Sequence, residues 1–358
     1  MTQMPLLPPI RAELFSTERL EQFAEPLAAS HLVAPGIRRG VPVLTRCRKN
    51  SEALRQAYDQ IGAAVSTGEP ISPAAEWLVD NYHIVEEQLR EIREDLPRGF
   101  YRKLPKLAGG VFKSYPRVYA IAWAYAEHTD SRFDPATLSR FVQAYQRAQP
   151  LTLGELWALA ISLRLVLVEN LRRLTDRVIA RRSARSEADA LAEALLEDPG
   201  RPVDAADAMD RWQSTPLWST FVAQLAQRLR DRDPASTPVL ARLGDRLSSE
   251  GRSVEELVQL EHHEQVVGHL LVRNVITSMR LMSSVDWTEL VEGASLVEAA
   301  LRTGTDVAAM DFASRDRYRH AVEDMAQGAG RSELEVAKAA THRANAAERG
   351  SVMAEPGH

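Results

Sequence analysis

The chain has 358 residues, 45% hydrophobic and 26% charged, which is the composition of a globular protein with ample material for a buried core. Its 44 lysines and arginines stand against 49 acidic residues, and the resulting net charge of -5 argues against a dedicated nucleic-acid binder. The single cysteine, Cys47, excludes an internal disulfide and favours a reducing compartment.

Helix-start signals recur along the chain. Capping boxes occur at 152–155, 253–256 and 332–335, and Ser72 and Asp134 each precede a proline at a first helical position. Together with apolar residues at three- and four-residue spacing, these signals predict the following helices: 16–30, 50–67, 73–95, 115–128, 135–148, 153–182, 186–196, 216–231, 236–250, 254–283, 286–303, 312–327 and 332–347. No run of alternating β-branched residues is present. We therefore predict an all-α, multi-helix, bundle-like fold without a β-sheet.

The domain organisation is predicted from shifts in composition. The stretch 198–210 is acidic, contains proline and glycine, and lacks large apolar groups, which is typical of a boundary. The predicted parts are an N-terminal extension 1–15, a helical subdomain 16–197 around a buried central helix 153–182, an acidic linker 198–212, a second helical subdomain 213–340, and a tail 341–358.

The sequence shows no targeting or membrane-spanning segment. The N-terminus lacks the basic and apolar regions of a signal peptide. The most apolar run, 156–168, is too short to cross a bilayer and contains Arg164. We expect this chain to have no transmembrane span.

A basic, aromatic-rich stretch follows the third predicted helix, and no acidic residue occurs from Leu96 through Ala126. Its cations are Arg98, Arg102, Lys103, Lys106, Lys113 and Arg117. Arginine and aromatic residues carry much of the energy of protein interfaces. We therefore interpret these cations as candidates for an interface or an anion-binding surface that docks on an acidic protein surface or on anionic headgroups. In the alternative interpretation, Arg98 and Arg117 pair with distant helices and the tyrosines are core residues.

A second basic cluster lies in the latter half of predicted helix 153–182. Its four candidates for anion binding are Arg172, Arg173, Arg177 and Arg181, followed by Arg182 and Arg185, with Asp176 as the single acid among them. Charge runs are usually solvated or internally paired. Neutralisation by the acids of 187–198 is the competing interpretation.

The sequence contains no convincing catalytic or metal site. In the stretch 261–274, His262 and His269 are seven residues apart, which does not reproduce the i, i+4 spacing of helical zinc ligands. Cys47 lies between Arg46 and Arg48, but no partner base is identifiable. We assign no catalytic residue and no metal ligand.

Several long segments resemble the cyclic β-1,2-glucan synthases. They are PIRAELFSTERLEQFAEPLA (9–28), SPAAEWLVDNYHIVEEQLREIREDLPRGFYRKLPKL (72–107), LTLGELWALAISLRLVLVENLRRL (151–174), VRNVITSMRLMSSVDW (272–287) and MDFASRDRYRHAVEDMA (310–326). The resemblance runs in order from about Pro9 to about Ala340. The residues after Ala340 depart from the family pattern.

The resemblance implies the soluble N-terminal region of a large bacterial inner-membrane enzyme. In that family, a membrane-embedded glucosyltransferase uses UDP-glucose, and a phosphorylase-like part follows. The transferase motifs are missing: Asp231 and Asp233 follow no predicted strand, and Ala208 stands where the acceptor motif before Arg211-Trp212 needs glutamine. The implied cofactors, UDP-glucose and a divalent metal, therefore belong to the catalytic part that this chain lacks.

The function that we predict is a non-catalytic helical N-terminal module, or a truncated fragment, of a cyclic β-1,2-glucan synthase that supports membrane-associated synthesis of cyclic β-1,2-glucan from UDP-glucose. The expected partners are the glucosyltransferase portion of a cyclic glucan synthase and an anionic membrane surface, with no nucleic acid. The expected location is cytoplasmic, at the inner face of the bacterial inner membrane. Two alternatives stay open: a stand-alone enzyme acting on carbohydrates or nucleotides, and a nucleic-acid-binding helical protein.

Overall fold

The computed structural model describes residues 6–34, 40–95, 98–196, 219–230, 237–303 and 305–353. The helices are α1 Thr17–Ser30, α2 Val43–Ser66, α3 Pro73–Asp80, α4 Tyr82–Asp95, α5 Arg98–Lys103, α6 Arg117–His128, α7 Pro135–Ala148, α8 Leu153–Leu196, α9 Ser219–Arg230, α10 Thr237–Ser249, α11 Val254–Ser284, α12 Trp287–Ala294, α13 Leu296–Arg302, α14 Phe312–Ala329 and α15 Glu333–Met353, with a 3₁₀ turn at Asp306–Ala309. Two short strands, β1 Val33–Ala34 and β2 Lys106–Leu107, pair antiparallel with Val33 opposite Leu107. The all-α prediction is confirmed, with this strand pair as its small departure.

The predicted helix starts are confirmed by their side-chain caps. Ser72 accepts from the Ala75 amide, and Asp134 accepts from the Thr137 amide, each at the first turn of a helix. In the box that opens α8, the amide of Thr152 donates to Glu155 and the amide of Glu155 donates back to Thr152. Caps of this kind supply hydrogen-bond acceptors to the free amides of the first helical turn. The acceptors are close in sequence, so no tertiary contact is needed.

The structure differs from the predicted helix boundaries at three polar side chains. Predicted helix 73–95 breaks at Asn81, whose side-chain amide donates to the Trp77 carbonyl and competes with the helical ladder. Predicted helix 286–303 breaks at Ser295, which caps α13. Conversely, 153–182 and 186–196 form one helix, α8, and the Ser183 hydroxyl near the predicted break donates to Glu187 instead of capping a new start.

The chain forms two compact units, and each draws on three separate stretches of sequence. Unit 1 contains 1–9, 49–83 and 170–276, and unit 2 contains 10–48, 84–169 and 277–358. This arrangement differs from the sequential subdomains predicted above. The linker 198–212 lies outside the described residues, so that boundary stays a prediction.

The core of unit 1 is built from the later part of α8 together with α9, α10 and α11. Small residues of α8, Ala184, Ala188 and Ala192, belong to one buried apolar cluster with Phe221 of α9 and Leu243 of α10. A stripe of alanines lets neighbouring helices approach closely, and large side chains of α9 and α10 fill the space.

The core of unit 2 is built around α6, α7 and the first part of α8. The predicted burial of this part of the central helix is confirmed, since Leu156, Leu159, Leu163 and Val166 are all buried. Helix α1 packs on α7. A second apolar cluster joins Leu153 to the helices that follow residue 295.

Candidate interaction surface

The basic segment 98–117 folds into a short helix, a strand and a tight loop in unit 2. Helix α5 is followed by β2, by the loop 108–114, and by α6, which begins at Arg117. Gly110 and Ser114 adopt left-handed backbone angles, with φ of 74° and 66°, and turn the loop back on itself. The loop is closed by a bond from the Ser114 amide to the Leu107 carbonyl, 2.9 Å long.

Lys106 points into the unit rather than towards solvent. The residue is only 2% exposed, and Nζ donates to the carbonyls of Arg102 and Leu104, both at 2.9 Å. Burial lowers the pKa of Lys106. A Cβ on Gly40 would lie 2.6 Å from Cε of Lys106 and 2.8 Å from the Ser114 carbonyl oxygen, so the missing side chain at position 40 makes room for the lysine.

Arg117 also points inward, where it holds the carboxylate that caps α8. Its Nε and one terminal nitrogen donate to the two oxygens of Glu155, at 2.8 and 2.5 Å. The other terminal nitrogen donates to Gln149 at 3.0 Å. Both partners of the ion pair are buried. The alternative interpretation of an ion pair with a distant helix therefore holds for Arg117.

A buried histidine lies in the same polar interior. Nδ1 of His31 is 2.9 Å from the hydroxyl of Tyr145. Burial lowers the pKa of His31 to about 4, and the positive charge of Arg117 contributes to this shift. His31 is therefore neutral near pH 7. The sequence did not indicate His31 or Tyr145 as notable residues. A single histidine just after a predicted helix carries no local signal for a buried contact with a residue 114 positions away.

The aromatic residues of the segment pack against one another and against α6. Tyr115 stacks on Tyr119 with ring centroids 5.2 Å apart, and Phe112 meets Trp123 edge-on at 5.3 Å. The hydroxyl of Tyr101 donates to the Val41 carbonyl at 2.9 Å. These rings are structural supports for the loop.

The remaining members of the segment face solvent. Arg102, Lys103 and Lys113 are exposed, while the side chain of Arg98 lies outside the described residues. At the tip of the loop Val111 is 92% exposed, and Leu32, which accepts a backbone bond from Ala108, is 67% exposed. We name the exposed set the basic–apolar surface; it consists of Leu32, Val33, Arg102, Lys103, Val111 and Lys113.

The second basic cluster, 172–185, lies in unit 1 and is largely paired within it. Arg172 bonds to Asp176 at 2.6 Å, and the buried Arg173 donates to the Pro8 carbonyl at 3.0 Å. Arg177 is half-buried, and its Nε finds no acceptor within the described parts of the chain. Internal pairing is therefore present, although its acids come from a different place than the sequence suggested.

The main acid of this pairing is Glu261 of α11. This buried carboxylate lies 3.4 Å from Arg185 and 3.8 Å from Arg181, and it accepts the Thr220 hydroxyl at 2.6 Å. Arg181 also pairs with Glu264. The acids after α8's basic stretch have other partners: Asp189 pairs with Arg228 of α9 at 3.1 Å. Pairing across helices cannot be found from spacing along one helix.

The described residues that were considered for catalysis or metal binding form no such site. No group of three or more histidine, cysteine or acidic residues arranged to hold a metal occurs in the described ranges. Cys47 is buried, and burial raises its pKa to about 11. Asp231 and Asp233 lie outside the described residues. None of the described helices combines the length and apolarity needed to cross a bilayer.

The comparison with curated proteins identifies a relative of known name. The chain is 38% identical, over 313 residues, to the cyclic beta-(1,2)-glucan synthase NdvB of Rhizobium meliloti (strain 1021). The chain is related to the cyclic β-(1,2)-glucan synthases. The alignment covers 87% of this chain but 11% of that synthase, so the chain corresponds to a short segment of it. No protein-family model matches the chain.

The relationship to the cyclic β-(1,2)-glucan synthases confirms the resemblance seen in the sequence. Because the similarity spans a small share of the relative, the activity of the whole synthase does not transfer to this chain on identity alone. The Ala208 position, where the acceptor motif departs from the family, lies outside the described residues.

Proposed function

We propose that this chain is a non-catalytic helical module of cyclic β-1,2-glucan synthesis. The observation that carries the proposal is the 38% identity to a segment that makes up 11% of a cyclic β-(1,2)-glucan synthase. In this proposal the chain works at the cytoplasmic face of the bacterial inner membrane. Its partner is the glucosyltransferase portion of such a synthase, which binds UDP-glucose and the divalent metal.

The state of the buried carboxylates supports a structural role. Glu169 accepts from Nε and one terminal nitrogen of Arg46, at 2.8 and 2.5 Å, and Glu298 accepts from Arg319 at 3.0 Å. Glu155 is held by Arg117 in the same two-pronged way. A general acid or base needs a carboxyl group that is free to exchange a proton with a substrate. Carboxylates locked to arginines serve the fold better than they serve catalysis.

A segment exchange in the R. meliloti synthase tests the module role. We expect deletion of the matched segment to abolish cyclic glucan, and insertion of this chain in its place to restore it, measured as cyclic β-1,2-glucan per cell. A matched chimera carrying Arg117→Ala should restore less, because the module is destabilised. The proposal is contradicted if the synthase that lacks the matched segment still makes cyclic glucan at the parental level.

A direct assay distinguishes the module from a stand-alone enzyme. The purified chain with UDP-glucose and Mg²⁺ or Mn²⁺ is expected to release no UDP above a buffer control. Steady release that is lost on changing Asp231 and Asp233 to alanine would replace the module role with a transferase activity. Release that persists in that variant points to a contaminating enzyme and leaves the segment exchange to decide.

A further inference from the structure

We propose that the basic–apolar surface binds the surface of an anionic phospholipid bilayer, with Val111 inserted among the lipids and Arg102, Lys103 and Lys113 at the headgroups. The inference deepens the proposed function and rests on it for the membrane setting. Its evidence is the form of the loop 108–114 and the charges beside it.

The loop 108–114 presents an apolar side chain on an ordered tip. Val111 is 92% exposed, which gives it the greatest exposure among the large hydrophobic residues of the described chain. Two backbone hydrogen bonds fix the loop around it. The Lys113 amide donates to the Gly110 carbonyl at 3.2 Å, and the Tyr115 amide donates to the Phe112 carbonyl at 3.0 Å. Ser114 has a left-handed backbone conformation, which is unfavourable for most residues other than glycine. Strain of this kind persists where the surrounding structure enforces it, and it is frequent at functional sites.

Two further apolar side chains stand at the base of the loop. The strand pair places Val33 opposite Leu107, and the Ala108 amide donates to the Leu32 carbonyl at 2.8 Å. Leu32 is 67% exposed and Val33 is partly exposed. Val111 at the tip and Leu32 and Val33 at the base are thus exposed apolar residues of one loop and its strand pair, and exposed apolar groups that occur together are typical of an interaction site.

The exposed charges of the same segment favour an anionic partner. The stretch from Leu96 through Ala126 contains no acidic residue, and the exposed Arg102, Lys103 and Lys113 lie on either side of β2. Tyr115 and Trp123, both half-buried, are of the two residue types that are enriched at the membrane–water interface. A protein partner would need a pocket for the exposed Val111 side chain, whereas a bilayer accommodates an apolar side chain without a preformed cavity. These features together favour lipid over protein.

Vesicle sedimentation with the purified 358-residue chain tests the proposal. The probes are vesicles of phosphatidylcholine with phosphatidylglycerol, and vesicles of phosphatidylcholine alone. We expect binding to the anionic vesicles, weakened by salt, and little binding to the neutral ones. Absence of binding to the anionic vesicles overturns the proposal, and so does equal binding to both kinds.

Two sets of variants assign the binding to this surface. The triple variant R102E/K103E/K113E should bind anionic vesicles at least about a hundredfold more weakly, since each cation near the surface contributes about fivefold. The control R331E/K338E/R343E changes three exposed cations of 331–343 and the same net charge, and should bind nearly as the parent does. Equal loss in both triples would make the binding a net-charge effect and overturn the assignment.

The tip is tested separately from the charges. Val111→Ser should weaken binding about tenfold, because one buried apolar side chain is lost, and Val111→Trp should strengthen it. Val266→Ser in unit 1, where the parent valine is 68% exposed, is the matched control and should have no effect. Val111 variants that bind as the parent does would show that the loop does not insert. Vesicle binding needs no glucan synthesis, so its failure leaves the segment-exchange result standing, and the reverse also holds.

Discussion

The segments 98–117 and 172–185 each carry six cations and at most one acidic residue, and the structure uses the two sets differently. In 172–185, arginines of one helix pair with acids from other parts of unit 1, such as Glu261 and Glu69. In 98–117 the set divides: Lys106 and Arg117 turn inward, and Arg102, Lys103 and Lys113 face solvent. A cluster of like charges in a sequence can therefore be a structural network, an exposed surface, or both at once.

Removing the inward arginine of 98–117 should have the largest effect on stability. Arg117→Ala leaves the buried Glu155 without its counter-charge, and we expect a loss of about 3–5 kcal/mol in the free energy of unfolding. Denaturant titration measures this loss. Arg102→Ala, which removes an exposed cation of the same segment, should stay within about 0.5 kcal/mol of the parent. Similar losses in the two variants would mean that the inward and outward cations do not differ.

The interior behind 98–117 should also make stability depend on pH through His31. Its pKa is about 4 in the folded chain and 6.5 as the ordinary value, so the unfolded chain binds more protons between these limits. Stability is therefore lost as the pH falls through this window, by about 3 kcal/mol at pH 4 from this residue.

The comparison variant for this pH effect is His31→Gln, which cannot titrate but can still bond to Tyr145. As the pH falls from 7 to 4, the parent should lose unfolding free energy relative to His31→Gln. Any advantage of the parent at pH 7 should therefore shrink, or turn into an advantage of the variant, at pH 4. A difference that is constant across this range would show that His31 protonates freely in the folded chain.

Breaking the network of 172–185 should cost less than removing Arg117. Glu261→Gln keeps the size of the side chain but removes the charge that Arg181 and Arg185 face, so we expect a loss of about 2 kcal/mol. Glu187→Gln changes an exposed acid near the same arginines, and its thermal unfolding should match the parent. If Glu261→Gln is neutral as well, the paired cluster does not stabilise unit 1.

The smallest effect on stability is expected for the exposed cations. The triple variant R102E/K103E/K113E should unfold within about 0.5 kcal/mol of the parent, because exposed charges away from buried partners contribute little. Calorimetry in moderate salt measures this difference. A clear fall in melting temperature would mean that these cations stabilise the fold, as the arginines of 172–185 do. The contrast between the two segments would then disappear.

The helices were largely predictable because their signals are local. Capping boxes and periodic apolar residues act within a few positions, and the boxes at 152–155, 253–256 and 332–335 all form as predicted. The ion pairs were not predictable, since Arg46 meets Glu169 across 123 positions and Arg117 meets Glu155 across 38. Only the fold brings such residues together, and it also decides that Lys106 faces inward although its neighbours in sequence suggest a basic surface.

Gly40 carries an evolutionary consequence of the inward Lys106. Any side chain at position 40 would meet the lysine chain, but it would also meet the carbonyl oxygen of Ser114, which no substitution at position 106 removes. Covariation between positions 40 and 106 is therefore expected to be weak. Among homologues that keep the tight loop, glycine should persist at position 40 even where the lysine is replaced, and departures from glycine should coincide with insertions or deletions in 108–114.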